Sequence, residues 1–257
     1  MKNFVIVGTQ RTGSSILGEI IGTHPKITCG WEWTLKGIFD NKIKVANTAL
    51  NGDFSILRNQ DQKHMAEVFH KGIEWLGFRR LFSSNDKWII HPRFAPTLFV
   101  EQFEQHIKWI KSIPDLHIIH IVRTNNIDWL KSRYLAKKHN LFYGKSYPSG
   151  TKIRVPVNIA VKCLFAKEWV DKRLQTIKTS NPYLSITYEE LFSDENLSLE
   201  RIFKFFNYEH IGVSQKNTKL KKQSVGNAEN YIENYEELFT ILDRKYLLKS
   251  TLDYSLP

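Results

Sequence analysis

The residues with the clearest chemical potential lie in one short stretch near the start of the chain, from Gly8 to Ser15. Its glycines, Gly8 and Gly13, have the spacing of the G-x-x-x-x-G phosphate-binding loop, but Ser14 stands where that motif has lysine. Backbone N–H groups in such a turn face an anion, and the following helix adds about half a positive charge. The turn also carries side chains that bind oxyanions, namely Arg11, Ser14 and Ser15. It predicts a site for phosphate or sulfonate groups.

A second interpretation of this turn is structural, with Thr12 or Ser14 only capping the helix that follows. Two features favour the anion site over the cap. The apolar run Phe4–Val7 indicates a buried strand directly before the turn, and Arg11 lies inside it.

A second anchor for an anion is Arg123, which directly follows the apolar run His117–Val122. Ser132 follows nine residues later, on a predicted helix. Ligands of parallel sheets bind beyond the carboxyl ends of the strands, so we expect Arg123 at the same edge as the Gly8–Ser15 turn. The alternative is an exposed arginine that caps a helix or pairs with Asp128.

The elements that must position these residues alternate along the chain. Apolar runs predict four strands, at Phe4–Val7, Lys87–Ile90, His117–Val122 and Tyr183–Thr187. Helical spacing predicts helices at about 13–22, 96–110, 127–139, 159–177, 199–206 and 229–248. This order predicts an α/β, P-loop-like three-layer fold with a central, mostly parallel sheet flanked by helices. We expect residues 1–257 to form one domain.

Composition narrows the class of partner. The chain has 257 residues, a formal net charge of +11 and a pI near 9.5. This positive charge favours polyanionic partners, unless it only reflects a generally lysine-rich composition. Its two cysteines, Cys29 and Cys163, lack the spacing of a metal site. No apolar stretch reaches the roughly 18 residues of a membrane span. We expect a soluble cytoplasmic protein, either free or peripheral on a membrane.

Together the two anchors resemble motifs of the sulfotransferases that use 3′-phosphoadenosine 5′-phosphosulfate (PAPS) as donor. The family loop [KR]-[ST]-G-[ST]-[ST] is similar to the run Arg11, Thr12, Gly13, Ser14 and Ser15. Its strand-terminal arginine and helix serine resemble Arg123 and Ser132. The spacing of the latter pair is most similar to that of bacterial carbohydrate sulfotransferases, such as the nodulation and glycolipid enzymes.

Weaker similarities follow in the family's order. Tyr188–Leu191 is similar to its Tyr-Glu-[DE]-Leu segment, and Lys221–Gln223 to its late basic segment. Ile232–Leu238 resembles its closing Asn-Tyr-[DE]-Glu-Leu piece. The likeness extends from Phe4 to about Leu242.

The resemblance implies an enzyme that transfers a sulfuryl group from PAPS to a hydroxyl acceptor and releases 3′,5′-bisphosphoadenosine (PAP). The acceptor would be a glycan, a glycolipid or a small molecule, and no metal would be needed. The loop would bind the phosphosulfate, with Arg11 stabilising the leaving phosphate and the sulfonate. The remaining donor contacts would come from Arg123, Ser132, Tyr188 and Lys222.

The general base has more than one candidate. Glu32, between Trp31 and Trp33, lies where bacterial carbohydrate sulfotransferases have a catalytic glutamate, and burial between the rings would raise its pKa. The alternative is that Glu32 is only solvated and that the two neighbouring tryptophan rings belong to the core. His91, after a predicted strand, is the second candidate. His24 precedes a proline at the end of a predicted helix, and this position favours a structural role for it. Arg79, with Arg80 beside it, occupies a place where relatives often have lysine, and there it would contact the sulfonate or an anionic acceptor. The alternative is a solvated surface, where adjacent arginines more often lie.

Two other functions compete with sulfuryl transfer. A divergent P-loop nucleotide kinase would need a loop lysine and an acidic residue at a strand end to bind Mg²⁺, and Ser14 and Arg123 stand in those places. A non-enzymatic basic nucleotide- or RNA-binding module would use Lys216–Lys222, yet no nucleic-acid-binding motif accompanies them. The sequence leaves the acceptor and the oligomeric state open.

Overall fold

A parallel sheet lies at the centre of this protein, with five strands in the part of the chain that the structure describes. The computed structural model describes residues 2–32, 74–82, 97–141, 146–214, 218 and 226–249. Its strands are β1 Lys2–Thr9, β2 Ile27–Glu32, β3 Trp75–Phe82, β4 His117–Val122 and β5 Tyr183–Thr187. They lie in the order β2-β3-β1-β4-β5, and every neighbouring pair is parallel. The carboxyl ends of all five strands therefore meet at one edge.

Seven helices are described around this sheet. They are α1 Ser14–Ile21, α2 Thr97–Ser112, α3 Asn126–His139, α4 Val157–Gln175, α5 Tyr188–Ser193, α6 Glu195–Phe205 and α7 Tyr235–Lys249. Short 3₁₀ helices follow α4 at Thr176–Thr179 and precede α7 at Ala228–Asn230. In this part of the chain, no helix is both long enough and apolar enough to cross a bilayer.

The apolar run of β1 is covered by helices on both faces of the sheet. Phe4 and Ile6 pack with α1 and α6 on one face, whereas Val5 and Val7 pack with α2 and α4 on the other. All four side chains are fully buried. Successive strand residues point to opposite faces, so an unbroken apolar run is expected in a sheet with two covered faces. The predicted α/β class and the parallel sheet flanked by helices are confirmed.

Two of the five strands, β2 and β3, are absent from the sequence-based expectations. β3 contains Gly77 and the pair Arg79 and Arg80. These residues break the apolar pattern, although β3 lies between β1 and β2 in the sheet. Gly77 is needed there because a Cβ would lie 1.9 Å from Cζ of Phe4. The expectation that Arg79 belongs to a solvated surface segment is wrong, since Arg79 lies on this inner strand and is half-buried.

The other differences lie in the predicted boundaries. The strand expected at 87–90 falls outside the described residues. The last helix begins at Tyr235 and not at 229, because the chain first makes a 3₁₀ turn and a bridge between Ile153 and Ile232. Asn234 then accepts a hydrogen bond from N of Val155 and donates one to its O, both at 3.0 Å. This segment packs with α3 and α4 in an apolar cluster.

Candidate functional site

The turn between β1 and α1 leaves the carboxyl end of the central strand. Arg11 and Gly13 adopt left-handed conformations there, with φ of 67° and 90°. The Thr12 hydroxyl donates to O of Thr9 at 2.8 Å, so it stabilises the turn. The N-cap of α1 is Gly13, which has no side chain, so the alternative of a cap by Thr12 or Ser14 is wrong. The N–H groups at the start of α1 are thus left for an anion.

Both glycines of the turn are required by their neighbours. A Cβ on Gly8 would lie 2.5 Å from O of Ile121 on β4. A Cβ on Gly13 would lie 2.7 Å from Cδ2 of Tyr188. The turn therefore packs directly against the two strands that follow β1 in the sheet, at β4 and at the β5–α5 junction.

Direct contacts join the turn to the second anchor. Nε of Arg11 donates to Oγ of Ser132 at 3.1 Å, and Nη1 of Arg123 donates to O of Arg11 at 3.4 Å. The indole N–H of Trp129 also donates to O of Gln10 at 2.8 Å, which ties α3 to the turn. The structure thus brings Arg11, Arg123 and Ser132 into one cluster, as the positions of Arg11 and Arg123 beyond the ends of two neighbouring strands predict.

Arg123 is buried within this cluster, with 4% of its surface exposed. Its guanidinium lies 4.2 Å from the centre of the Tyr188 ring, a cation–π contact. Its Nε is buried and has no hydrogen-bond partner among the residues described. Asp128, the alternative partner of Arg123, instead forms an ion pair with Lys131 at 2.8 Å. A buried, unsatisfied N–H donor in a cationic group calls for an anionic ligand.

The electrostatics of the cluster agree with an anion site. Burial lowers the pKa of Arg11, and the positive charge of Arg123 lowers it further, although the phenols of Tyr147 and Tyr188 oppose this. Burial raises the pKa of Tyr188, and Arg123 opposes that increase. Two repelling guanidinium groups in one partly buried place are stabilised by any ligand that brings negative charge.

The segment that carries Arg123 is held from the β5–α5 junction. The carboxylate of Glu189 accepts hydrogen bonds from N of Thr124 at 3.0 Å and N of Asn125 at 2.9 Å. Burial alone would raise the pKa of Glu189, but these N–H groups outweigh it and the pKa is lowered. Because Tyr188 contacts Arg123 and its neighbour Glu189 binds the next two residues, this junction orients the second anchor.

The candidate base also lies at the carboxyl edge of the sheet. Glu32 is the last residue of β2 and is aligned with Arg79 of β3, after an irregularity that follows Cys29. The side chain of Glu32 lies outside the described part of the chain, as do His91 and Lys222. Glu32 is therefore placed by its backbone alone. His24 lies in the turn after α1, near the opposite edge, stacked on Tyr208 at 4.5 Å.

Several site residues were not singled out from the sequence. Trp129 contacts the turn by a hydrogen bond, and Glu189 accepts hydrogen bonds from the two residues that follow Arg123. Tyr147 lies close enough to Arg11 to affect its pKa. For Arg79, which the sequence did single out, the structure adds the partner, since Arg79 donates a short hydrogen bond to Oγ of Ser15 from β3. The available signal was proximity to a motif, as Trp129 lies between Arg123 and Ser132. Among the described residues, no group of three or more His, Cys, Asp or Glu side chains is arranged to bind a metal ion.

Comparison with known families decides the class of this protein. A family model described as "Sulfotransferase family" matches residues 3–211. The chain belongs to the sulfotransferase family. The enzyme class predicted from the two motifs is confirmed, and with it sulfuryl transfer as the type of reaction. No curated protein matches the sequence of this sulfotransferase.

Solved sulfotransferase structures are similar to this chain, and one of them supports the same fold. The mouse sulfotransferase SULT7A1, solved in complex with PAP, is 14% identical, with a TM-score of 0.51 over 98% of this chain and 86% of that one. A sulfotransferase from Alicyclobacillus acidocaldarius is 15% identical, with a TM-score of 0.48 over 95% of this chain and 92% of that one. At these identities the likeness to the mouse enzyme establishes the shared fold.

Proposed function

We propose that this sulfotransferase moves a sulfuryl group from PAPS to a hydroxyl group of a carbohydrate or glycolipid. The observation that carries the donor assignment is the buried guanidinium of Arg123, whose Nε lacks a partner in the described structure and which contacts the loop residue Arg11. A donor with one anionic group at the 3′ position and another at the 5′ position supplies charge to both anchors. The PAP bound to the mouse relative supports this choice.

The proposed roles follow from where the groups lie. The first turn of α1, with Gly13, Ser14 and Ser15, binds the phosphosulfate end, and Thr12 keeps the turn in shape through its bond to Thr9. Arg11 stabilises the charge that develops as the bond between sulfur and the leaving phosphate breaks. The remaining donor contacts, to the 3′-phosphate and the adenosine, are assigned to Arg123, Ser132, Tyr188 and Lys222.

The acceptor hydroxyl must lose its proton as its oxygen attacks sulfur in line with the leaving phosphate. We assign this proton to the carboxylate of Glu32, because Glu32 ends β2 at the same edge as the turn. His91 is the alternative base. The carbohydrate class of acceptor rests on the resemblance to bacterial carbohydrate sulfotransferases and on Trp31 and Trp33, whose rings suit a sugar face.

The compartment and domain assignment complete the proposal. We place the reaction in the cytoplasm, since Cys29 and Cys163 are free thiols, which suits a reducing environment. Residues 1–257 act as a single sulfotransferase domain, and the acceptor is a soluble or membrane-surface glycan.

Binding of nucleotides to the wild-type protein tests the donor assignment. We expect PAP to bind at least tenfold more tightly than ATP in calorimetry with EDTA present, because the two anchors replace the lysine and Mg²⁺ of a kinase. Incubation with ³⁵S-labelled PAPS and a panel of oligosaccharides, glycolipids and phenols then identifies the acceptor. Tight, Mg²⁺-dependent binding of ATP in place of PAP would support the kinase alternative, and label only on phenols would refute the carbohydrate assignment.

The Glu32→Gln variant tests the base. We expect sulfuryl transfer to fall by roughly 10²- to 10⁴-fold while PAP binding stays within twofold of wild type, because glutamine keeps the size of the side chain but cannot accept the proton. Rate constants for transfer and calorimetric Kd values measure the two effects. The matched variant His91→Asn should retain transfer. If the two variants exchange these outcomes, His91 is the base.

A further inference from the structure

Arg79 approaches the Gly8–Ser15 turn, here called the donor turn because it is proposed to bind PAPS, from the side opposite to Arg11 and Arg123. It lies on β3, which pairs with β1 on the side away from β4, and its Nη1 donates to Oγ of Ser15. Ser15 is the second residue of α1 and so belongs to the first turn, where the helix N–H groups are unbonded. Nothing in the family-like motifs links these two residues, which are separated by 63 intervening positions in sequence.

The side chain of Arg79 is guided to Ser15 by its surroundings. Its stem passes α1 at Gly18, where a Cβ would lie 3.1 Å from Cδ of Arg79. The same Cβ would lie 3.1 Å from Sγ of Cys29 on β2, so Arg79 runs in a narrow space between α1 and the sheet. Gly18 therefore leaves room for a long cationic side chain that ends at the donor turn.

The direction of this hydrogen bond has a chemical consequence. A guanidinium can only donate, so Oγ of Ser15 is the acceptor, and the hydroxyl hydrogen of Ser15 is directed elsewhere. A hydroxyl that accepts from a cation is also polarised, which makes it a stronger donor to a third group. At the first turn of α1, the group that meets this hydrogen in the proposed function is the phosphosulfate.

We propose that Arg79 is a positioning residue that holds the Ser15 hydroxyl as a hydrogen-bond donor to the phosphosulfate of the donor nucleotide. This inference rests on the proposed function, because it takes the α1 turn as the phosphosulfate site. It differs from direct binding of the donor by Arg79, since the effect of Arg79 passes through one hydroxyl group.

A double-mutant cycle on PAP binding separates these possibilities. We expect Arg79→Met, which keeps an apolar stem, to raise the Kd for PAP about tenfold in the wild-type background, the size of one hydrogen bond to a charged group. In the Ser15→Ala background the same change should alter Kd less than twofold. Ser15→Thr, which restores the hydroxyl, should restore the dependence on Arg79. A merely structural or long-range charge effect of Arg79 would be the same in all three backgrounds.

Two further variants keep the test independent of folding. Gly18→Ala leaves every charge in place but displaces the Arg79 stem, so it should raise Kd severalfold, again only when Ser15 is present. Arg173→Met removes a cation in the last turn of α4, where Arg173 pairs with Glu104, and should leave Kd unchanged. Thermal unfolding confirms that each variant is folded.

The outcomes distinguish the inference from the function beneath it. If wild type binds PAP and Arg79→Met weakens binding equally with and without the Ser15 hydroxyl, the role of Arg79 is overturned and the donor assignment stands. If wild type does not bind PAP, the proposed function falls and the inference falls with it.

Discussion

Replacing Arg123 with alanine is expected to weaken PAP binding about 100-fold and to abolish the preference for PAP over AMP. The guanidinium is buried and has an unpartnered N–H among the described atoms, so a 3′-phosphate would receive charge-assisted hydrogen bonds worth about 1.5–3 kcal/mol each. Losing this contact should leave AMP, which has no 3′-phosphate, bound as before. Calorimetric titration of both nucleotides measures the change in their ratio.

The stability of the same variant provides a second readout. Arg123 is a buried cation next to Arg11, and each charge costs desolvation energy without a ligand. We therefore expect that Arg123→Ala does not lower the Tm of the ligand-free protein, although PAP no longer raises it. Arg201→Ala, on the exposed face of α6 beside Glu190, serves as the matched control and should keep PAP binding. A large loss of Tm with unchanged preference for PAP would show that Arg123 is structural.

Replacing Gly13 with alanine is expected to remove measurable donor binding and to destabilise the protein by about 2–3 kcal/mol. The left-handed conformation at φ 90° costs an alanine roughly 1–2 kcal/mol. The new Cβ would also lie 2.7 Å from the Tyr188 ring, so either the turn or the ring must move. Because Tyr188 packs under Arg123, such a movement disturbs both anchors at once. Chemical denaturation and PAP titration measure the two effects.

Gly212 offers a control for the backbone contribution alone. Its φ is 72°, and a Cβ there would meet nothing within 4 Å. Gly212→Ala should therefore cost only the backbone strain, about 1 kcal/mol, with PAP binding unchanged. Equal losses of stability in the two variants, with PAP binding retained in both, would mean that the contact between Gly13 and Tyr188 does not restrict the site.

The strands that could be predicted are those whose residues are mostly apolar. β1 and β4 carry such runs because both faces of the sheet are buried at these central strands, whereas β5 lies at the edge and keeps apolar residues around an exposed Ser185. β2 and β3 could not be recognised in the same way. In β3, Gly77 makes room for the Phe4 ring and Arg79 leads to Ser15, so packing and site contacts replace the apolar pattern.

The site could be predicted where its chemistry is local in sequence. The turn from Gly8 to Ser15 contains its own glycines, hydroxyl groups and cation, and the position of Arg123 after an apolar run places it at the strand end. Glu189 and Arg79 could not be found in this way. Their partners, Thr124 and Ser15, are distant in sequence and become neighbours only through strand order.

The sequence by itself determined the anion-binding turn, because such a turn is built from adjacent residues and its conformation follows from glycine and a helix start. The sulfotransferase class came from the resemblance of this turn and Arg123 to family motifs and from the family match over residues 3–211. The sequence also determined that a second cation, Arg123, lies at the same edge, since parallel strands end together. Only the tertiary structure decided that Arg123 is buried with an unsatisfied donor, that Tyr188 contacts both anchors, and that Arg79 reaches Ser15 across α1. These facts depend on strand order and side-chain packing between distant segments, which no local pattern contains.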